Sequence, residues 1–155
     1  MKQTKLFFIA FLIAGVIIYL TSCTPGSCFE ETNAYLKVYF YTSATDKALP
    51  PDSLTVYGLN MSSKKIYDRA AKKQPAYLPL NPSTPDCTFI IRINGKTDTL
   101  SITYTSYAHL ISKECGYTFY HTIDTPVFSR NTIDKIDIRK NTVTTLHDEN
   151  IRIFY

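Results

Sequence analysis

Three histidines, His109, His121 and His147, are the side chains best suited to moving protons near neutral pH. They lie in separate segments, without the HxH or HxxxH spacing that would bring two onto one metal. Zinc asks for three or four ligands, and a cysteine pairing would consume two of the candidates. The nine aspartates, Asp46, Asp52, Asp68, Asp86, Asp98, Asp124, Asp134, Asp137 and Asp148, never form a calcium-binding loop. Serines and aspartates are plentiful enough to draw a Ser/His/Asp triad on paper. No Gly-x-Ser-x-Gly elbow exists to hold the serine up. With five glycines in 155 residues, no glycine-rich phosphate loop appears either. No catalytic residue, metal site or cofactor is therefore expected. His121 shares its parity with Phe119 and Ile123, which predicts a hydrogen-bonded, partly buried histidine rather than a ligand.

The other candidates are aromatic. Tyr35, Tyr39 and Tyr41 alternate with Leu36, Val38 and Phe40, so one strand would show three tyrosines on one face. Tyrosine joins apolar area to a polar tip and can make a platform for a glycan or peptide. The plainer reading is that tyrosine simply suits a strand.

The reactive thiol of greatest consequence is Cys23. Lys2 and Lys5 precede an apolar run from Leu6 to Leu20, and Leu20-Thr21-Ser22-Cys23 follows. A basic start, an apolar stretch and small residues before a cut make a secretory leader. The run is shorter than the roughly 20 residues that cross a bilayer. Leu-Thr-Ser-Cys resembles the lipobox of bacterial lipoproteins. That resemblance implies lipid on the Cys23 thiol and cleavage after Ser22. The expected organisation is a leader at 1–22, a lipidated cysteine and tether at 23–33, and one domain at 34–155. Thr24 stands where an aspartate would favour the inner membrane, so outer-membrane anchoring on the periplasmic side is expected, with the cell surface as the alternative.

Loss of the leader changes the charge. Of 17 Lys and Arg, removing Lys2 and Lys5 leaves 15 against 13 Asp and Glu. No basic stripe remains, so nucleic acid is not an expected partner. Three cysteines then stay free of lipid: Cys28, Cys87 and Cys115. An oxidising compartment favours one disulfide among them. Cys28 with Cys115 is favoured, because Cys28 sits before the first strand and Cys115 opens a later one. Cys87 with Cys115 is the alternative.

The elements that must position these residues read as short strands. Ala34–Thr42, Ser53–Leu59 and Tyr77–Leu80 come first, the last bounded by Pro75, Pro79 and Pro82 as suits an edge. Residues 62–73 have too thin an apolar set for a helix and equally suit a ragged edge strand. Thr88–Ile93 and Thr99–Tyr104 flank Asn94-Gly95, a strong hairpin cue because both central residues of a type I′ turn need positive φ. Tyr107–Ile111, Gly116–Ile123, Ile133–Arg139 and Ile151–Tyr155 complete the pattern, with Ile133 off parity. Seven to nine strands and no helix predict an all-β antiparallel β-sandwich, immunoglobulin-like in size, with a small β-barrel as the alternative.

Cys28-Phe29-Glu30-Glu31, Leu36-Lys37-Val38-Tyr39-Phe40, Glu114-Cys115-Gly116 and His121-Thr122-Ile123-Asp124 together resemble small Bacteroidota lipoproteins grouped as a domain of unknown function. The resemblance implies the Cys28–Cys115 pair, since those are the motif cysteines, and carries no activity. The expected role is a non-enzymatic envelope module, held to the membrane by its lipid and contacting another envelope protein or a glycan. A pilus-type assembly subunit and a small anchored hydrolase using His121 or His109 as base are the alternatives.

Overall fold

The structure, a computed structural model, describes residues 28–155. The leader and Cys23 lie outside the described residues. Eleven strands form two sheets: β1 (Tyr35–Tyr41), β2 (Leu54–Gly58), β3 (Lys65–Ala70), β4 (Ala76–Pro79), β5 (Asp86–Ile93), β6 (Lys96–Ser112), β7 (Gly116–Ile123), β8 (Val127–Phe128), β9 (Lys135–Ile138), β10 (Thr142–Val143) and β11 (Ile151–Phe154). One sheet runs β4-β1-β11-β9 and the other β10-β7-β6-β5-β2-β3, with β8 also on β6. The all-β expectation holds, and one sheet is curled into a half-barrel.

The alternation that predicts strands also fills the core. Leu36, Val38, Phe40, Leu78, Ile151 and Ile153 point inward from the four-stranded sheet. Leu54, Val56, Phe89, Ile91, Leu100 and Ile102 meet them from the other. Asn94 and Gly95 have φ of 49° and 93°, so the two-residue turn between Ile93 and Lys96 has the positive φ values its sequence demands.

Four features depart from or sharpen the expected pattern. β1 and β11 are parallel, with Val38 opposite Ile151 and Phe40 opposite Ile153, in an otherwise antiparallel assembly. Within residues 62–73, Lys65–Ala70 form the edge strand β3 between turns, and its pairing with β2 is broken by register shifts around Val56. Ile133 is fully buried but precedes β9, which removes its parity conflict. β6 runs through Tyr107–Ile111 without a break, making a 17-residue strand whose far half is only partly covered.

Candidate functional site

β1 places Tyr35, Lys37, Tyr39 and Tyr41 on the outer face of the four-stranded sheet, since Leu36, Val38 and Phe40 take the inner one. Register then decides their company. Lys37 lies opposite Tyr77 of β4, Tyr39 opposite Arg152 of β11, and Tyr41 opposite Phe154. The face is thus an aromatic ladder interleaved with cations.

Its two ends differ. At one end Tyr41 is engaged on every side. Its hydroxyl donates to Glu149 Oε1 at 3.1 Å, and its ring lies 5.5 Å from that of Phe154. The Arg152 guanidinium sits 4.6 Å above the same ring and forks onto Glu149 through Nε (2.9 Å) and a terminal nitrogen (2.8 Å). Burial and the neighbouring Glu149 push the Tyr41 hydroxyl pKa up, and the hydrogen bond to Glu149 pushes the Arg152 pKa up.

At the other end the face opens. Tyr35 and Tyr77 meet edge to face, 6.1 Å between centroids, and Lys73 stands 5.8 Å from the Tyr77 ring. Tyr77 is fixed from behind by Tyr67, whose hydroxyl accepts its backbone N–H at 2.9 Å. A cleft of about 200 Å³ lies here, lined by Glu31, Asn33, Tyr35, Lys37, Tyr77, Thr145 and His147. That is smaller than the roughly 300–1,000 Å³ of drug-sized ligand sites, so it suits one ring of a longer ligand rather than a whole cofactor.

Lys37 is the unusual member, with only 4% of its surface exposed. Its amine donates to Thr144 O at 2.9 Å and Tyr35 O at 3.2 Å. Burial lowers its pKa, opposed by the charges of Asp148 and Glu31. Asn150 holds the strand that carries it. Asn150 Oδ1 accepts the Lys37 N–H at 3.0 Å, and its Nδ2 donates to Lys140 O and Thr142 O. Those bonds fold the 139–150 loop over β1 and bring Thr145 and His147 to the cleft. Glu31 accepts the Asn33 N–H at 3.0 Å, which lowers its carboxyl pKa.

The three predicted tyrosines therefore share a face, and the structure brings Tyr35 alone of the three into the cleft. Sequence reasoning missed Tyr77, Lys37, His147 and Glu31 as its companions. The histidines are dispersed. His109 is exposed and stacks on Tyr120 at 4.2 Å. His121 is buried on the core parity, its pKa lowered by burial, with Nδ1 2.8 Å from Ser106 Oγ. Among the described residues, no three His, Cys, Asp or Glu side chains gather in a way that could hold a metal ion.

Cys28 and Cys115 form a disulfide, and Cys87 is a free, half-buried thiol whose pKa burial raises. The residues after Cys28 are not a loose spacer. Thr32 O accepts the Thr118 hydroxyl at 2.6 Å, so this segment runs against β7 on its way to β1.

A family model described as a family of unknown function, DUF6452, matches residues 53–155, a span with Cys87 and Cys115 but neither β1 nor Cys28. No curated protein and no solved structure matches the chain.

Proposed function

Starting from a chain that belongs to DUF6452, a family of unknown function, we propose a non-enzymatic, lipid-anchored envelope module that holds a glycan on the outer face of its four-stranded sheet. The reading carries Cys23 lipidation and outer-membrane anchoring, periplasmic side, over from the leader and lipobox. One observation supports the ligand class above others: Tyr35 and Tyr77 wall a cleft whose polar groups are Lys37, Asn33, Glu31, Thr145 and His147. A sugar ring offers an apolar face for tyrosine and a rim of hydroxyls for such donors and acceptors. Tyr39 and Arg152 continue the face beyond the cleft, giving a longer oligosaccharide somewhere to lie.

The hydrolase alternative has its own observation, the Ser106–His121 contact. It is the weaker reading. Ser106 does not line the cleft beside His121, and among the described residues no carboxylate hydrogen-bonds His121 to orient it.

The test is titration of the full-length protein with oligosaccharides released from the envelope of the producing cell, read by calorimetry and tyrosine fluorescence. Tyr35→Ala and Tyr77→Ala should each weaken binding about tenfold, the worth of one aromatic contact. Tyr57→Ala, on the other sheet, should not. Binding that survives both tyrosine changes refutes the site.

A further inference from the structure

The far half of the β6–β7 hairpin carries a core pattern with little core over it. The pairs Tyr104–Ile123, Ser106–His121, Ala108–Phe119 and Leu110–Tyr117 follow one another on a single face. The first is buried, and so is His121 in the second. Beyond them the cover thins: Phe119 still lines a cleft with Tyr35, Pro79 and Leu80 but is 46% exposed, and Leu110 and Tyr117 are 47% and 73% exposed. The tip of this arm is covalently tied to the N-terminal segment through Cys28–Cys115, and Phe29, next to the bond, is 90% exposed.

Chain length fixes what lies near that tip. Four residues separate Cys23 from Cys28, and the five steps between the two cysteines span at most about 18 Å. At about 3.3 Å per residue, Phe119 is only about 10 Å along the strand from Gly116, and Tyr117 is nearer still. The exposed apolar side chains therefore all lie closer to the disulfide than the tether is long. From this we infer that the β6–β7 arm rests its apolar face, with Phe29, on the bilayer that holds the lipid of Cys23. The inference rests on the lipid anchor proposed above.

Aromatic side chains suit the headgroup boundary, where one end of the ring is dry and the other wet. Charge does not drive the contact. Lys113 and Glu114 at the tip offset one another, and Glu30 and Glu31 follow Phe29. The contact is apolar and should persist in high salt. The disulfide sets the pose, because it ties Cys28, five positions after the lipidated residue, to the tip of the arm; without it the first tie between this segment and β7 is the Thr32–Thr118 hydrogen bond, four residues further on.

The test uses the full-length protein purified from membranes and returned to vesicles of phosphatidylethanolamine and phosphatidylglycerol that contain a lipid with a photoreactive acyl chain. Crosslinked residues are mapped by mass spectrometry, and the intact mass of Cys23 peptides is read in the same sample. Crosslinks should concentrate on Leu110, Tyr117, Phe119 and Phe29 and be absent from Tyr57 and Lys96. Cys28→Ser should cut the arm crosslinks at least fivefold while leaving the lipid mass intact. Tyr117→Ser with Phe119→Ser, both at exposed positions, should do the same. A lipidated Cys23 with crosslinks spread evenly over the domain overturns the inference and leaves the anchor standing. Arm-to-arm crosslinks between copies, with none to lipid, assign the face to a second copy and overturn it too. An unlipidated Cys23 removes the anchor and the inference together.

Discussion

Replacing Asp98 should unfasten the joint between the two sheets. Asp98 is a buried carboxylate on β6 with 2% exposure, and it gathers the chain that crosses from β8 to β9. Its Oδ1 accepts the Ser129 hydroxyl at 2.6 Å and the Asn131 N–H at 2.7 Å. Its Oδ2 accepts the N–H groups of Thr132 at 2.8 Å and Ile133 at 3.2 Å. In Asp98→Ala, Ser129 and Asn131 can turn to water. The Ile133 N–H cannot, because Ile133 is fully buried, and the Thr132 N–H beside it is half-buried. Leaving a buried donor unpaired costs about 1–3 kcal/mol, so the two give at most about 6 kcal/mol, less whatever is regained by not burying a charge. A loss of about 3 kcal/mol is expected, a large part of the 5–15 kcal/mol or so that holds a domain. Asp98→Asn is the sharper variant. An amide keeps the shape but has one acceptor oxygen, so it can serve one pair of donors while its NH₂ faces the other. It should cost nearly as much as alanine. Urea unfolding followed by circular dichroism at pH 7, with amide exchange at Ile133, reads both. An Asp98→Asn protein within about 0.5 kcal/mol of wild type would mean that packing, not the two-sided acceptor, holds the crossing, and the reasoning fails.

Three further outcomes follow from the same structure. His121 is held below its ordinary pKa of 6.5 by burial, so between the two values the unfolded chain binds more protons than the folded one. Its stability contribution is complete above pH 6.5 and declines on acidification towards the folded value; His121→Gln should flatten that part of the unfolding curve, and an unchanged slope would contradict the assignment. Cys28 and Cys115 close a loop of 87 residues, so Cys115→Ser should lower stability by about 3–5 kcal/mol from loop entropy, with an effect under about 1 kcal/mol showing that the N-terminal lead frays without consequence. Gly95 has φ of 93° with open space around its Cα, so Gly95→Ala should cost about 1 kcal/mol through the backbone alone, and a neutral result in thermal melts would mean that the turn had changed type.

Much of this fold is legible in period-2 alternation. Leu36, Val38 and Phe40 face the core as their spacing demands, and Asn94-Gly95 announces the β5–β6 hairpin through its own backbone preferences. What is not legible depends on distant partners. The two-residue strands β8 and β10 are strands only because β6 and β7 lie beside them. The parallel union of β1 with β11 leaves no local trace in either. The candidate site shows the same division. Three tyrosines on one face follow from spacing, but register with β4 and β11 decides that Tyr35 opens on a cleft while Tyr41 is consumed by Glu149, Arg152 and Phe154. The burial of Lys37 is not legible because sequence cannot reveal the carbonyls of Tyr35 and Thr144 that accept from its amine. Phe119 and Tyr117 carry the core parity truthfully, yet the cover over them thins.

The parallel seat of β11 bears on how the molecule comes into being. β1 is among the earliest strands synthesised, yet it has β4 on one side and must wait for β11 on the other. The bond from Lys37 to Asn150 joins residues 113 apart. Until the last strand arrives, Leu36, Val38 and Phe40 have no complete sheet to share, and the four-stranded layer is missing its middle. Closing so long a loop is entropically costly and slow, as for β proteins dominated by distant pairings. The four-stranded layer should therefore form late, after the locally paired β5–β6–β7 hairpins of the other sheet. Until β11 is in place, the unfinished layer remains open to proteases along β1.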